Sequence, residues 1–70
     1  MNINMTPAFP WTFEGLTFRN RAELERVIER FAQAGPRAHL AAANTLLREA
    51  LAESKLSADQ YTEIKERLHL

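Results

Sequence analysis

The chain has 70 residues, nine basic and nine acidic side chains, a formal net charge of zero and no cysteine. A chain this short forms at most one domain, which buries only about 60% of its unfolded surface. Such a small domain usually needs a covalent or metal cross-link, or a binding partner, to be stable. The absence of cysteine excludes disulfides and thiolate metal sites, the balanced charge argues against a DNA-coating protein, and no apolar run approaches the roughly 20 residues that span a bilayer.

Residues 1–10 contain two prolines and are predicted to form an extended arm. The arm lacks the basic and long apolar regions of a signal peptide, so we expect a cytoplasmic protein. Residues 11–18 alternate apolar and polar side chains on either side of Glu14 and Gly15. This pattern predicts a short β-hairpin with a two-residue turn, which must lie on another element because a lone hairpin is marginal in water.

Four of the six aromatic residues fall within the first 18 positions. One interpretation is that they cover the apolar face of the helices. The other is that some are exposed anchors for a partner protein, because Trp and Phe dominate interface hot spots. Stacking on single-stranded nucleic acid is a third interpretation, which the scarcity of nearby basic residues disfavours. The predicted partner-binding residues are Trp11, Phe13, Phe18, Arg19 and Arg21.

The first helix is predicted over about residues 20–34. Asn20 is a good N-cap, and Glu23 three residues later completes a capping-box-like pair. Leu24, Val27, Ile28 and Phe31 then recur at helical spacing. Arg21–Glu25 and Arg26–Glu29 are expected ion pairs on the other face. Gly35 and Pro36 are expected to end this helix and begin the next.

The second helix is predicted over about residues 37–54, a stretch rich in the best helix formers. One face carries Leu40, Ala43, Leu47, Ala50 and Leu51, and this alternation of Leu with small Ala suits a close helix–helix contact. That contact is either with the chain's own helices or with a second copy of the chain in a homodimer. The predicted self-association residues are Leu40, Ala43, Asn44, Leu47 and Leu51. Asn44 is included because a buried Asn can fix the register of a helix pair.

The third helix is predicted over about residues 58–69. Ser57 is its N-cap and Gln60 the capping-box partner, while Leu56 is placed to contact Tyr61 as a hydrophobic staple. The short connection from the second helix requires the two helices to fold back on each other. The whole chain is therefore predicted to be a single, mainly α domain of three helices, preceded by an aromatic arm or short β-hairpin.

Residues 47–68 resemble the short C-terminal module called SHOCT, in which an apolar helix is followed by a tight turn and a capped second helix. The matching residues are Leu51, Lys55, Leu56, Ser57, Asp59, Gln60, Tyr61, Lys65 and Leu68. The chain has Ser54-Lys55 where that family usually has a Gly before the turn hydrophobe. The resemblance covers under a third of the chain and implies an oligomerisation or interaction element, with no particular activity.

The sequence contains no thiol nucleophile, no Gly-rich phosphate loop and no context that would activate Ser54 or Ser57. We therefore expect no enzyme activity, no cofactor and no metal. The leading hypothesis is a homodimeric, protein-binding regulator or inhibitor that occludes or adapts a partner, as phage-encoded inhibitors of host systems do. The alternative is a helix-turn-helix DNA-binding regulator, with Gln60, Lys65 and Arg67 as the available base or phosphate contacts.

Overall fold

The structure, a computed structural model, describes residues 8–34 and 37–70. These ranges contain a two-stranded antiparallel sheet followed by three α-helices, which confirms the predicted fold class. The elements are β1 (Trp11–Phe13), β2 (Leu16–Phe18), α1 (Arg21–Gln33), α2 (Arg37–Ala52) and α3 (Ala58–Arg67). Most of the predicted arm and the predicted Gly35–Pro36 helix boundary lie outside the described residues.

The hairpin turns at Glu14 and Gly15, as predicted. Both residues have positive φ, 52° and 82°, which is the geometry of a type I′ turn and matches the twist of the flanking strands. The strand register pairs Trp11 with Phe18 and Phe13 with Leu16. Because cross-strand partners face the same side, these four apolar side chains share one face of the hairpin, opposite the exposed Thr12–Thr17 pair.

Helix α1 begins where the N-cap signal predicts. The side chain of Asn20 accepts a hydrogen bond from the backbone N–H of Glu23 at 2.9 Å. The return bond of the expected capping box is different, because the Glu23 carboxylate accepts from the backbone N–H of Arg19, at 2.8 Å. The N–H that donates to the Glu23 carboxylate therefore belongs to the residue before the N-cap, one position earlier than a capping box predicts.

Helix α2 ends at Ala52, two residues earlier than predicted. Ser54 has a left-handed backbone with φ 62°, and its N–H donates to Leu51 O at 3.1 Å while that of Lys55 donates to Ala50 O at 2.7 Å. This pair of bonds is a Schellman motif, which terminates the helix and reverses the chain. The capping box of Ser57 and Gln60 then starts α3 as predicted.

The core lies among the three helices and extends under the hairpin. Helix α1 packs mainly on α2, α2 packs also on α3, and β2 contacts α1. Leu24 and Ile28 of α1, Leu47 of α2 and Ile64 of α3 are almost completely buried. The remaining buried residues are Trp11, Phe18, Ala43, Leu46, Ala50 and Leu56. Burial of these faces against one another supplies most of the stability of helices this short.

Candidate interaction surfaces

The hairpin is anchored to the helices by the aromatic pair farthest from its turn. Trp11 is 9% exposed and Phe18 is 1% exposed, and their ring centroids lie 5.6 Å apart. The ammonium group of Lys55, in the turn between α2 and α3, lies 5.9 Å from the centre of the Trp11 ring, a cation–π distance. Both aromatic residues therefore belong to the core, and neither offers much surface to a partner.

The apolar face of the hairpin continues beyond the core toward the turn. Phe13 is half-buried and stacks on Trp11 with ring centroids 5.7 Å apart, and its cross-strand partner Leu16 is 39% exposed. We call this Phe13–Leu16 pair the hairpin rim. Leu16 was absent from the predicted binding residues, although its place opposite Phe13 across a two-residue turn is the sequence signal that could have identified it.

Arg19 and Arg21 are both exposed, but each is engaged by a neighbouring carboxylate. Arg19 Nη2 lies 2.7 Å from Glu23 Oε2, with 80% of the arginine side chain exposed, and Arg21 Nε lies 3.1 Å from Glu25 Oε2. The side-chain hydrogen bond from Arg19, followed by the bond from its backbone N–H, lowers the pKa of the Glu23 carboxyl. Each of the two arginines at the start of α1 is therefore paired with a glutamate, which offsets its positive charge.

The predicted self-association residues divide between the core and the surface. Ala43 and Leu47 are 0% and 1% exposed, so in this fold they pack against the chain's own helices and have no surface left for a second copy. Leu40 is 37% exposed, and Asn44 and Leu51 are half-buried. The surface part of the set therefore lies on one flank of α2, beside the residues that pack in the core.

The residues available for DNA contact are engaged within the chain. Gln60 closes the capping box by accepting from Ser57 N–H at 2.9 Å. Arg67 Nη1 lies 3.3 Å from Glu29 Oε2, across from α3 to α1, and its Nε lies 3.2 Å from Glu63 Oε2. Lys65 Nζ lies 5.6 Å from the centre of the Tyr61 ring. These contacts lend the helix-turn-helix alternative no support.

Over residues 8–34 and 37–70 the structure contains no cavity. The same part of the chain has no group of three or more His, Asp or Glu side chains placed to hold a metal ion. Of the helices described, none is long and apolar enough to cross a membrane. Large apolar side chains that are exposed in these ranges are Leu16 in the hairpin rim and Leu40 on α2.

Comparison with known proteins found no matching family model, no matching curated protein and no matching solved structure. The resemblance of residues 47–68 to the SHOCT module therefore stays a prediction.

Proposed function

We propose that this chain is a small protein-binding regulator without a catalytic role, and that the hairpin rim contacts the partner. The observation that carries the proposal is the position of Leu16, whose side chain is exposed at the start of β2, in a hairpin that the buried Trp11 and Phe18 hold in place. An apolar side chain on a rigid support loses little conformational entropy on binding, so most of its desolvation contributes to affinity.

The partner that this surface fits is a protein with an apolar groove. Phe13 and Leu16 supply an aromatic and an aliphatic side chain next to each other, and the flanking arginines are already paired with glutamates. A strongly acidic partner such as nucleic acid would find little free positive charge at this site. Binding there would regulate the partner by occluding or adapting its groove, and we propose the cytoplasm as the compartment.

Replacement of Leu16 by Asp tests this function. We expect Leu16→Asp to weaken partner binding at least about tenfold, since it places a charge in a desolvated apolar contact. The measurement is affinity capture of the tagged chain from nuclease-treated cytoplasmic extract, followed by titration of the purified captured protein against the wild type and the variant. Trp11 is unsuitable for this test because it is part of the core.

Thr17→Asp is the matched control, because Thr17 is the next residue in β2 and lies on the opposite, exposed face of the hairpin. We expect it to bind the partner as the wild type does, and both variants to keep the helical far-UV circular dichroism spectrum. Equal affinity of Leu16→Asp and wild type for the captured protein would contradict the proposal, as would recovery of nucleic acid in place of protein when nuclease is omitted.

A further inference from the structure

One flank of α2 lies outside the core and carries charge of a single sign. Residues three and four positions apart lie on the same side of an α-helix, which has about 3.6 residues per turn. The acidic residues Glu49 and Glu53 therefore lie on the other side of α2 from Arg37 and Arg48. We call the basic flank the α2 stripe, and it consists of Arg37, Leu40, Ala41, Asn44, Arg48 and Leu51, all of them exposed or half-buried.

The two arginines of the α2 stripe are exposed and have no carboxylate to offset their charge. Over residues 8–34 and 37–70, the ion pairs with Asp or Glu are made by Arg19, Arg21 and Arg67, and none involves Arg37 or Arg48. The first turn of α2 also has no acidic residue. The positive charge of the stripe is therefore available to a partner.

Apolar surface accompanies this charge. Leu40 is 37% exposed and Leu51 is half-buried, while the exposed Ala41 is small enough to let a second helix approach closely. Arg37 and Arg48 lie about three turns, or about 16 Å, apart along the helix axis. The stripe thus combines two guanidinium groups at a fixed separation with an apolar surface between and beside them.

We propose that the α2 stripe binds an acidic amphipathic helix of another protein. Carboxylates about three turns apart on that helix pair with Arg37 and Arg48, since guanidinium groups bind carboxylates through charge-assisted hydrogen bonds. Its apolar residues cover Leu40 and Leu51, as in other complexes in which one amphipathic helix lies along a partner surface. The stripe is separate from the hairpin rim, so this proposal stands whether or not the rim binds a partner.

The charge and the limited apolar area of the stripe disfavour the other occupants. A second copy of this chain would present the same unpaired arginines, and like charges would repel. A helix that lies on an anionic membrane inserts a large apolar face, but α2 buries its main apolar face, with Ala43 and Leu47, in the core. Two arginines are also fewer than the several phosphate contacts of nucleic-acid-binding proteins.

A designed pair of peptides tests the proposal. The first is a helical peptide with Leu along one face and Glu on both flanks of that face, and its analogue has Lys in place of each Glu. Each peptide is titrated into the full, isotope-labelled chain while the amide chemical shifts are followed by NMR. We expect the acidic peptide to shift the amides of the α2 stripe, to bind more weakly as salt is added, and to bind at least about tenfold more tightly than the Lys analogue.

Charge reversal of the stripe separates this result from a folding defect. The double variant Arg37→Glu, Arg48→Glu should bind the acidic peptide at least about tenfold more weakly than the wild type and should bind the Lys analogue more tightly. Loss of folding could not produce the second effect, because it is a gain in affinity. Arg26→Glu makes the same charge change on the exposed side of α1 and should leave both affinities unchanged.

Four results would overturn the proposal. The first is a wild type that binds neither peptide, or binds both equally, and the second is a double variant that binds the acidic peptide as the wild type does. The third is a shift of the stripe amides with chain concentration in the absence of peptide, which would identify a second copy as the occupant. The fourth is tighter binding of phosphatidylserine vesicles or of duplex DNA than of the acidic peptide.

Discussion

Ser54 and His69 adopt a backbone conformation that residues other than glycine rarely occupy. Their φ angles are 62° and 58°, and each is the left-handed residue of a helix-terminating turn, since Leu70 N–H donates to Lys65 O as Lys55 N–H does to Ala50 O. A Cβ in this conformation is close to the following carbonyl oxygen and costs free energy. The turn at Ser54 persists despite that cost because Leu56, two residues later, is buried in the core.

Replacement of Ser54 by Gly should therefore stabilise the protein. Relief of the left-handed strain exceeds the entropy that glycine adds to the unfolded chain, and we expect the free energy of unfolding to rise by about 0.5 kcal/mol, measured by urea denaturation. Ser57→Gly makes the same chemical change at the N-cap of α3, where φ is −76°, and should lower the stability by a few tenths of a kcal/mol. Equal effects of the two substitutions would contradict this explanation.

At the scale of the element, one carboxylate adds to the Asn20 cap at the start of α1. Glu23 accepts two hydrogen bonds from Arg19, one from its backbone N–H and one from its guanidinium group, each at 2.8 Å. The same guanidinium group, and then the backbone bond, lower the pKa of Glu23 in the folded protein. The interaction therefore contributes stability above the unfolded pKa of a glutamate, about 4.3, and this contribution is lost as the pH falls through the lower folded value.

We expect Glu23→Gln to be less stable than the wild type near pH 7 and the difference to shrink as the pH is lowered from about 5 to 3. Thermal unfolding at a series of pH values measures both quantities. Glu66→Gln, a substitution of an exposed glutamate in α3, serves as the control and should follow the wild-type pH dependence. A Glu23→Gln variant whose deficit stays constant across this pH range would show that the carboxylate charge is not the origin of the effect.

The sequence predicts the elements well because their signals are local. The caps Asn20 and Ser57, and the two-residue turn at Glu14 and Gly15, depend on residues at most three positions apart. Burial within an element depends on what packs against it, so alternation alone could place Trp11, Phe13 and Phe18 on one face without distinguishing core from rim. The early end of α2 at Ala52 was missed because Ser54 carries no signal for a left-handed conformation.

At the scale of the whole molecule, Arg67 connects the first helix to the last. Its guanidinium group lies 3.3 Å from the Glu29 carboxylate of α1 and 3.2 Å from that of Glu63 in its own helix, and Glu25 lies 4.0 Å away. The pairing replaces the expected Arg26–Glu29 pair within α1. A contact between residues 38 positions apart has no pattern in the sequence, and this is why only the fold could reveal it.

Loss of the Arg67 connection should destabilise the protein modestly and in a salt-dependent way. The arginine side chain is 41% exposed, so solvent screens its interactions, and we expect Arg67→Gln to lower the free energy of unfolding by at most about 1 kcal/mol. Because three carboxylates surround one guanidinium group, their mutual repulsion persists in the variant. Added salt should therefore stabilise Arg67→Gln relative to the wild type. Urea denaturation at low and high ionic strength measures both effects.

Arg26→Gln is the control, because it removes a comparable exposed charge from α1 and should lower the stability less. A larger loss in that control would contradict the role of Arg67 as the electrostatic contact between the two helices.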